Sequence, residues 1–183
     1  MSKKNIRNFI GYGSNGKKIS WPNNAKLALQ IVLNYEEGGE NCILNGDKYS
    51  ETFLSEIIGA KPIKGRHISM ESIYEYGSRI GFWRLDKLFK EKKIPVTIFG
   101  VGLALENNTE VCEAIKKGNY EIAAHGYRWI DYQDIKKSVE KKHMQQAIKT
   151  IKNIFGSRPL GWYTGRCSPN TRDLVFDDGG FLY

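Results

Sequence analysis

Glu36 and Glu37 are neighbouring carboxylates followed at once by Gly38 and Gly39. Adjacent side chains at a strand end point in different directions, so one carboxylate can face a site while the other supports it. Crowding of two like charges also raises the proton affinity of one of them toward the range useful for a general base. His125, followed by Gly126, could bind a metal, protonate a leaving nitrogen or steady an oxyanion. Arg166, after Thr164-Gly165, could orient a carboxylate or a neighbouring acid. These parts suit attack of water on an amide-like carbon. A solvated turn accounts for Glu36-Glu37 as readily, and a histidine satisfied by backbone at the core edge accounts for His125.

The elements that must position these groups alternate between strand and helix. The apolar run Leu27 to Leu33 predicts a strand covered on both faces, which delivers Glu36 and Glu37 at its C-terminal end. Asn41 to Met70 has no long periodicity and reads as an excursion, with one short helix near Glu51 to Ile57. The apolar face of Ile80, Trp83, Leu85, Leu88 and Phe89 predicts a helix over 78–93, closed by Pro95. Val96 to Val101 is a second strand, Thr109 to Lys117 a helix, and Tyr120 to Ala124 a third strand ending at His125. Ile135 to Phe155 is the clearest helix, stopped by Gly156. Leu160 to Tyr163 is a fourth strand, Pro169-Asn170-Thr171 opens a short helix that closes at Gly179-Gly180, and Phe181 to Tyr183 starts a fifth strand. Such alternation predicts an α/β fold of parallel βαβ units in one domain over 1–183, with the loops after the strands gathered at one edge, where α/β proteins place their sites.

Composition narrows the function classes. The chain has 183 residues, 40% hydrophobic, enough for one domain with a substantial core. Its net charge of +8 is spread over lysine-rich segments that read as solvated helix faces, with no stacking platform beside them, so nucleic acid is not the expected partner. No run of eighteen apolar residues occurs, and the basic start Met1 to Asn8 is not followed by an apolar stretch of signal-peptide length; neither a membrane nor an export signal is expected. Three widely spaced cysteines, Cys42, Cys112 and Cys167, suit a reducing compartment, the cytoplasm by default.

Several motifs carry a family resemblance. Asn34-Tyr35-Glu36-Glu37-Gly38 resembles the first motif of the polysaccharide deacetylase (NodB homology) superfamily, His125-Gly126-Tyr127-Arg128-Trp129 its second, and Arg166-Cys167-Ser168-Pro169-Asn170 its third. Glu36 to Asn41, Ser69 to Arg79 and Leu160 to Arg166 are similar to the metal-independent allantoinase branch, and the likeness covers practically the whole chain. The resemblance implies an incomplete (β/α) barrel of about five parallel strands, because family members continue past the point where this sequence stops. It implies opening of the allantoin ring to allantoate by general acid–base catalysis, with Glu36 as base, Arg166 orienting, and Glu37 and His125 beside them. A small ureide is then the substrate, no cofactor is required, and a homo-oligomer covering the open side is expected.

Where the metal-dependent members keep an aspartate and two histidines, this sequence has Glu37, His125 and Trp129. An indole offers no lone pair for coordination, so only Glu37 and His125 remain as protein ligands, which argues against a tightly held zinc. A metal-dependent sugar N-deacetylase and an inactive remnant kept as a binding module are the alternatives. Trp129, Glu71, Glu75 and Tyr163 are candidates to line the substrate, although ordinary surface acids and a core tyrosine explain the last three about as well. His143, on a lysine-rich helix, is expected to be exposed.

Overall fold

The computed structural model describes residues 9–183; the basic start Met1 to Asn8 lies outside them. The chain divides at Gln30–Ile31 into two units. In the first, Pro22–Asn24 forms a 3-10 turn, and Leu27 and Leu29 are exposed.

The second unit is built on a parallel sheet of three strands, β1 Val32–Tyr35, β2 Thr97–Gly100 and β3 Glu121–Ala124, in that order. Their register aligns Tyr35 with Gly100 and Gly100 with Ala124, so all three strands end in one row. The segment 160–163 continues the sheet through a parallel bridge from Trp162 to Ala124. Phe181 to Tyr183 continues it again, with Trp162 N–H donating to Tyr183 O and Leu182 N–H to Leu160 O. The sheet is open.

Between the strands run α1 Ile68–Tyr76, a π-helical turn Gly77–Gly81 and α2 Phe82–Lys92. Four more helices follow: α3 Gly102–Glu106, α4 Thr109–Lys117, α5 Lys137–Phe155 and α6 Thr171–Asp178. Local chemistry sets several of their ends. The Asn108 side chain accepts from Val111 N–H at the start of α4, and α5 and α6 stop at Gly156 and Gly179 with φ of 84° and 69°.

The first strand starts at Val32 rather than Leu27, and it is not covered on both faces. It sits at the sheet edge with β2 as its partner, and its burial alternates, Val32 and Asn34 exposed, Leu33 and Tyr35 inward. No helix forms over 51–57; that stretch is held by its own hydrogen bonds, among them Thr52 Oγ1 to Ala60 O at 2.8 Å. The helix expected over 78–93 begins ten residues earlier, at Ile68, and passes through the π turn where Gly77 and Gly81 interrupt its apolar pattern.

Residues Tyr35, Ile98 and Ala124 of the strands face a helix layer whose contributions include Phe82, Leu105, Ile115 and Ile151. The opposite row, Asn34, Phe99 and Ala123, belongs to the site face. Leu105 of α3 lies so close over the end of β2 that a Cβ on Gly100 would stand 2.8 Å from Leu105 Cδ1 and from Ile122 Cδ1. Gly100→Ala is therefore expected to destabilise the fold by about 1–3 kcal/mol through overpacking, read as a lower urea midpoint at unchanged slope. An unchanged midpoint would show that α3 does not press on the strand.

Candidate functional site

Because the three strands end in one row, Glu36, Val101 and His125 stand side by side at the sheet edge. Two strand spacings, about 10 Å, separate the first from the last, a gap that a glutamate and an imidazole can close between them. They do close it: His125 Nε2 lies 2.9 Å from Glu36 Oε1. The same Oε1 accepts from Asn34 Nδ2 at 3.0 Å, which fixes the carboxylate from its own strand. On the other side of the ring, His125 Nδ1 lies 2.7 Å from the carbonyl oxygen of Tyr163. A carbonyl only accepts, so Nδ1 carries a proton. Nε2 then faces a carboxylate oxygen, and the short contact requires one proton between them, on the imidazole or on the acid. His125 is buried, and its ring stacks on Tyr163 at 5.2 Å, which itself stacks on Phe99 at 5.0 Å.

Glu37 points elsewhere. Its Oε2 accepts from Glu36 N–H at 2.9 Å, and its Oε1 lies against the start of the π-helical turn, where a Cβ on residue 77 would be 2.2 Å away, so Gly77 makes room for it. There it faces a 210 Å³ pocket shared with Glu40, Glu71, Tyr74 and Glu75. Burial pushes the Glu37 carboxyl up, backbone N–H groups partly offset this, and the Glu36 and Glu40 carboxylates add to it. Glu71 is paired with Arg66 at 2.5 Å and Glu75 with Arg79 at 3.2 Å.

Arg166 is brought to a third group of residues. Its Nη1 donates to Glu51 Oε2 at 2.8 Å, and its guanidinium lies over the rings of Trp129 and Phe53, 4.9 and 5.1 Å from their centroids. Burial alone would raise the Glu51 carboxyl, but Arg166 together with the amides of Thr52 and Phe53 brings it below the usual carboxylate range. Arg128 ties the loops together, donating to Gly39 O, Glu40 O and Asp47 Oδ2 at 3.0, 2.9 and 2.5 Å. Glu51, Phe53 and Asp47 carry no sequence signal, since acids and an exposed aromatic in an aperiodic loop look alike whether or not they hold a distant partner. His143 is half-buried rather than exposed, because the Tyr132 hydroxyl reaches its Nδ1 at 3.0 Å.

The donor set for a resident metal does not assemble. Both nitrogens of His125 are engaged, Glu37 is turned toward α1, and Trp129 has no lone pair to offer. Among the described residues, no three His, Cys, Asp or Glu side chains converge. No helix among them is long and apolar enough to cross a membrane.

Removing the Arg166 cation leaves Glu51 buried and unpaired. Arg166→Met should cost about 2–3 kcal/mol, and adding Glu51→Gln should restore most of it in a double-mutant cycle; additive losses would show that the pair is uncoupled. For Glu37 the sign is opposite. Its folded carboxyl titrates above the ordinary 4.5, so its contribution is fully present at low pH and is lost as the pH rises through the folded value. Glu37→Gln should thus melt higher than wild type at pH 7, with the gain fading as the pH falls toward about 4; a constant gain at all pH values would exclude titration as its cause.

A family model described as polysaccharide deacetylase matches residues 66–179. PuuE allantoinase, in its crystal structure, is 54% identical with a TM-score of 0.93, covering 99% of this chain and 60% of its own. A probable polysaccharide deacetylase from Pseudomonas aeruginosa PAO1 is 55% identical with the same TM-score, covering 98% and 60%. A Schizosaccharomyces pombe protein designated a polysaccharide deacetylase is 43% identical over 171 residues, 89% of this chain and 53% of its own length. The chain thus spans between about half and three-fifths of the length of the relatives it matches. With the family model matching well over half of its residues, the chain belongs to the polysaccharide deacetylase family.

Proposed function

We propose that this chain carries the acid–base half of a hydrolase that opens a cyclic amide, with allantoin giving allantoate as the model reaction. The observation that supports this most is the Glu36–His125 pair, held by Asn34 on one side and by the Tyr163 carbonyl on the other, with 2.9 Å between Nε2 and Oε1. On this reading water enters beside Glu36 Oε2. As its oxygen bonds to the amide carbon, its proton passes to the Glu36–His125 pair. The pair returns a proton to the ring nitrogen as the C–N bond breaks, leaving a carboxylic acid and a free urea-type amino group. Arg166, fixed by Glu51 and two aromatic faces, is assigned to the carbonyl oxygen that gains charge.

The proposed chemistry is metal-free, in keeping with a donor set that lacks its third member at Trp129. High identity over almost the whole chain to PuuE allantoinase supports the substrate class. The likeness to polysaccharide deacetylases favours a second reading, hydrolysis of an N-acetyl group on a sugar.

Purified protein stripped of metals is expected to convert allantoin to allantoate. Glu36→Gln should lower kcat by about 10²–10⁴ while melting like wild type. Zinc-dependent release of acetate from an N-acetylated oligosaccharide, without allantoin turnover, would replace this reading with the second. Activity on neither substrate would leave the fold as a binding module.

A further inference from the structure

Most buried or half-buried phenols of this fold have a partner. Tyr120 donates to Asp86 Oδ1 at 3.0 Å and Tyr127 to Glu106 at 3.0 Å, while Tyr132 meets His143. Two buried hydroxyls lack a hydrogen-bond partner among the described residues, those of Tyr35 and Tyr74. Tyr35 has the Asn108 carboxamide beside it. Tyr74 instead sets its ring against Trp129, the indole on which the Arg166 guanidinium lies, and lines the pocket of Glu37 and Glu40. Tyr74 stands where the separate parts of the site meet.

Its position is well defined. Tyr74 projects from the buried side of α1, is 7% exposed, sets its ring edge-on to Trp129 at 6.3 Å, and lines the pocket that Glu37 and Glu40 share. The hydrogen bonds that the surrounding carboxylates accept come from other donors. Glu36 Oε1 serves Asn34 and His125, Glu40 Oε2 serves Gly38 N–H, and Glu51 serves Arg166 and two amides. Burial and the surrounding carboxylates keep the phenol protonated, so it is a donor without an acceptor. A buried hydroxyl in that condition is costly, and its persistence beside a site points to an acceptor supplied by a ligand.

We propose that Tyr74 is a substrate-binding residue whose hydroxyl donates a hydrogen bond to a carbonyl oxygen of the bound substrate. It rests on the reading above for the substrate class, a cyclic amide or ureide. Tyr74 then discriminates for rings that present a carbonyl toward α1, and Trp129 holds the phenol at the correct angle.

The full chain is compared as wild type, Y74F, E36Q and E36Q/Y74F. Tyr74→Phe removes one oxygen and keeps the ring on Trp129, so Y74F should melt no lower than wild type. A fall of several degrees would reveal a structural hydrogen bond and overturn the proposal. Calorimetric titration with allantoin into E36Q and E36Q/Y74F, where the ring stays closed, should show about tenfold weaker binding without the hydroxyl. Equal affinities would overturn the proposal. Wild-type turnover is read separately: hydroxyl-dependent binding without allantoate formation removes the ring-opening reading and supports Tyr74 as a ligand contact. Absence of allantoin binding to every variant overturns both.

Discussion

The rest of the site depends on one hydrogen bond laid across the end of the sheet, from Glu36 on β1 to His125 after β3. It exists because three parallel strands end in register, so residues 89 apart in sequence stand two strand spacings from each other. It has a defined proton because Nδ1 of the ring is spent on the Tyr163 carbonyl, supplied by the next segment of the sheet. The imidazole is thus held by backbone on one edge and aimed at an acid on the other. Strand geometry, not a local motif, makes the pair.

The same geometry separates two residues that the sequence places together. Glu36 shares its face with Asn34 and reaches the histidine, whereas Glu37 turns to the opposite side and presses on the space left by Gly77. One carboxylate is tied to a hydrogen-bond donor on the sheet edge. The other is buried among acids, and its proton affinity rises for that reason. Two chemically equal neighbours therefore acquire unequal roles, which is why a doubled acid at a strand end is useful.

Much of this was legible in the order of residues. The apolar runs at Val96 and Tyr120 and the periodic faces of 109–117 and 135–155 gave their elements within a residue or two, because each is flanked by a capping asparagine, a proline or a glycine. The strand ends followed, and with them Glu36 and His125. The excursion 41–70 was not legible. Its order comes from side chains bonding across the loop and beyond it, such as Ser50 to Gly65 O and Arg128 to Asp47, and from the buried Glu51, whose partner lies 115 residues away. Tyr74 escaped notice for a related reason. A tyrosine on an amphipathic helix reads as core, and only the missing partner of its hydroxyl separates it from one.

Trp129 shows how one residue type decides the chemistry available to its neighbours. At the place where the family resemblance implies a second metal-binding histidine, an indole presents a flat face, and a guanidinium lies on it. Arg166 needs that face and the ring of Phe53 to stay extended toward Glu51, and Glu51 needs Arg166 to remain ionised while buried. Tyr74 in turn leans its ring on the same indole. A smaller side chain at 129 would take the shared indole face from both residues. The tryptophan is therefore coupled to the whole arrangement.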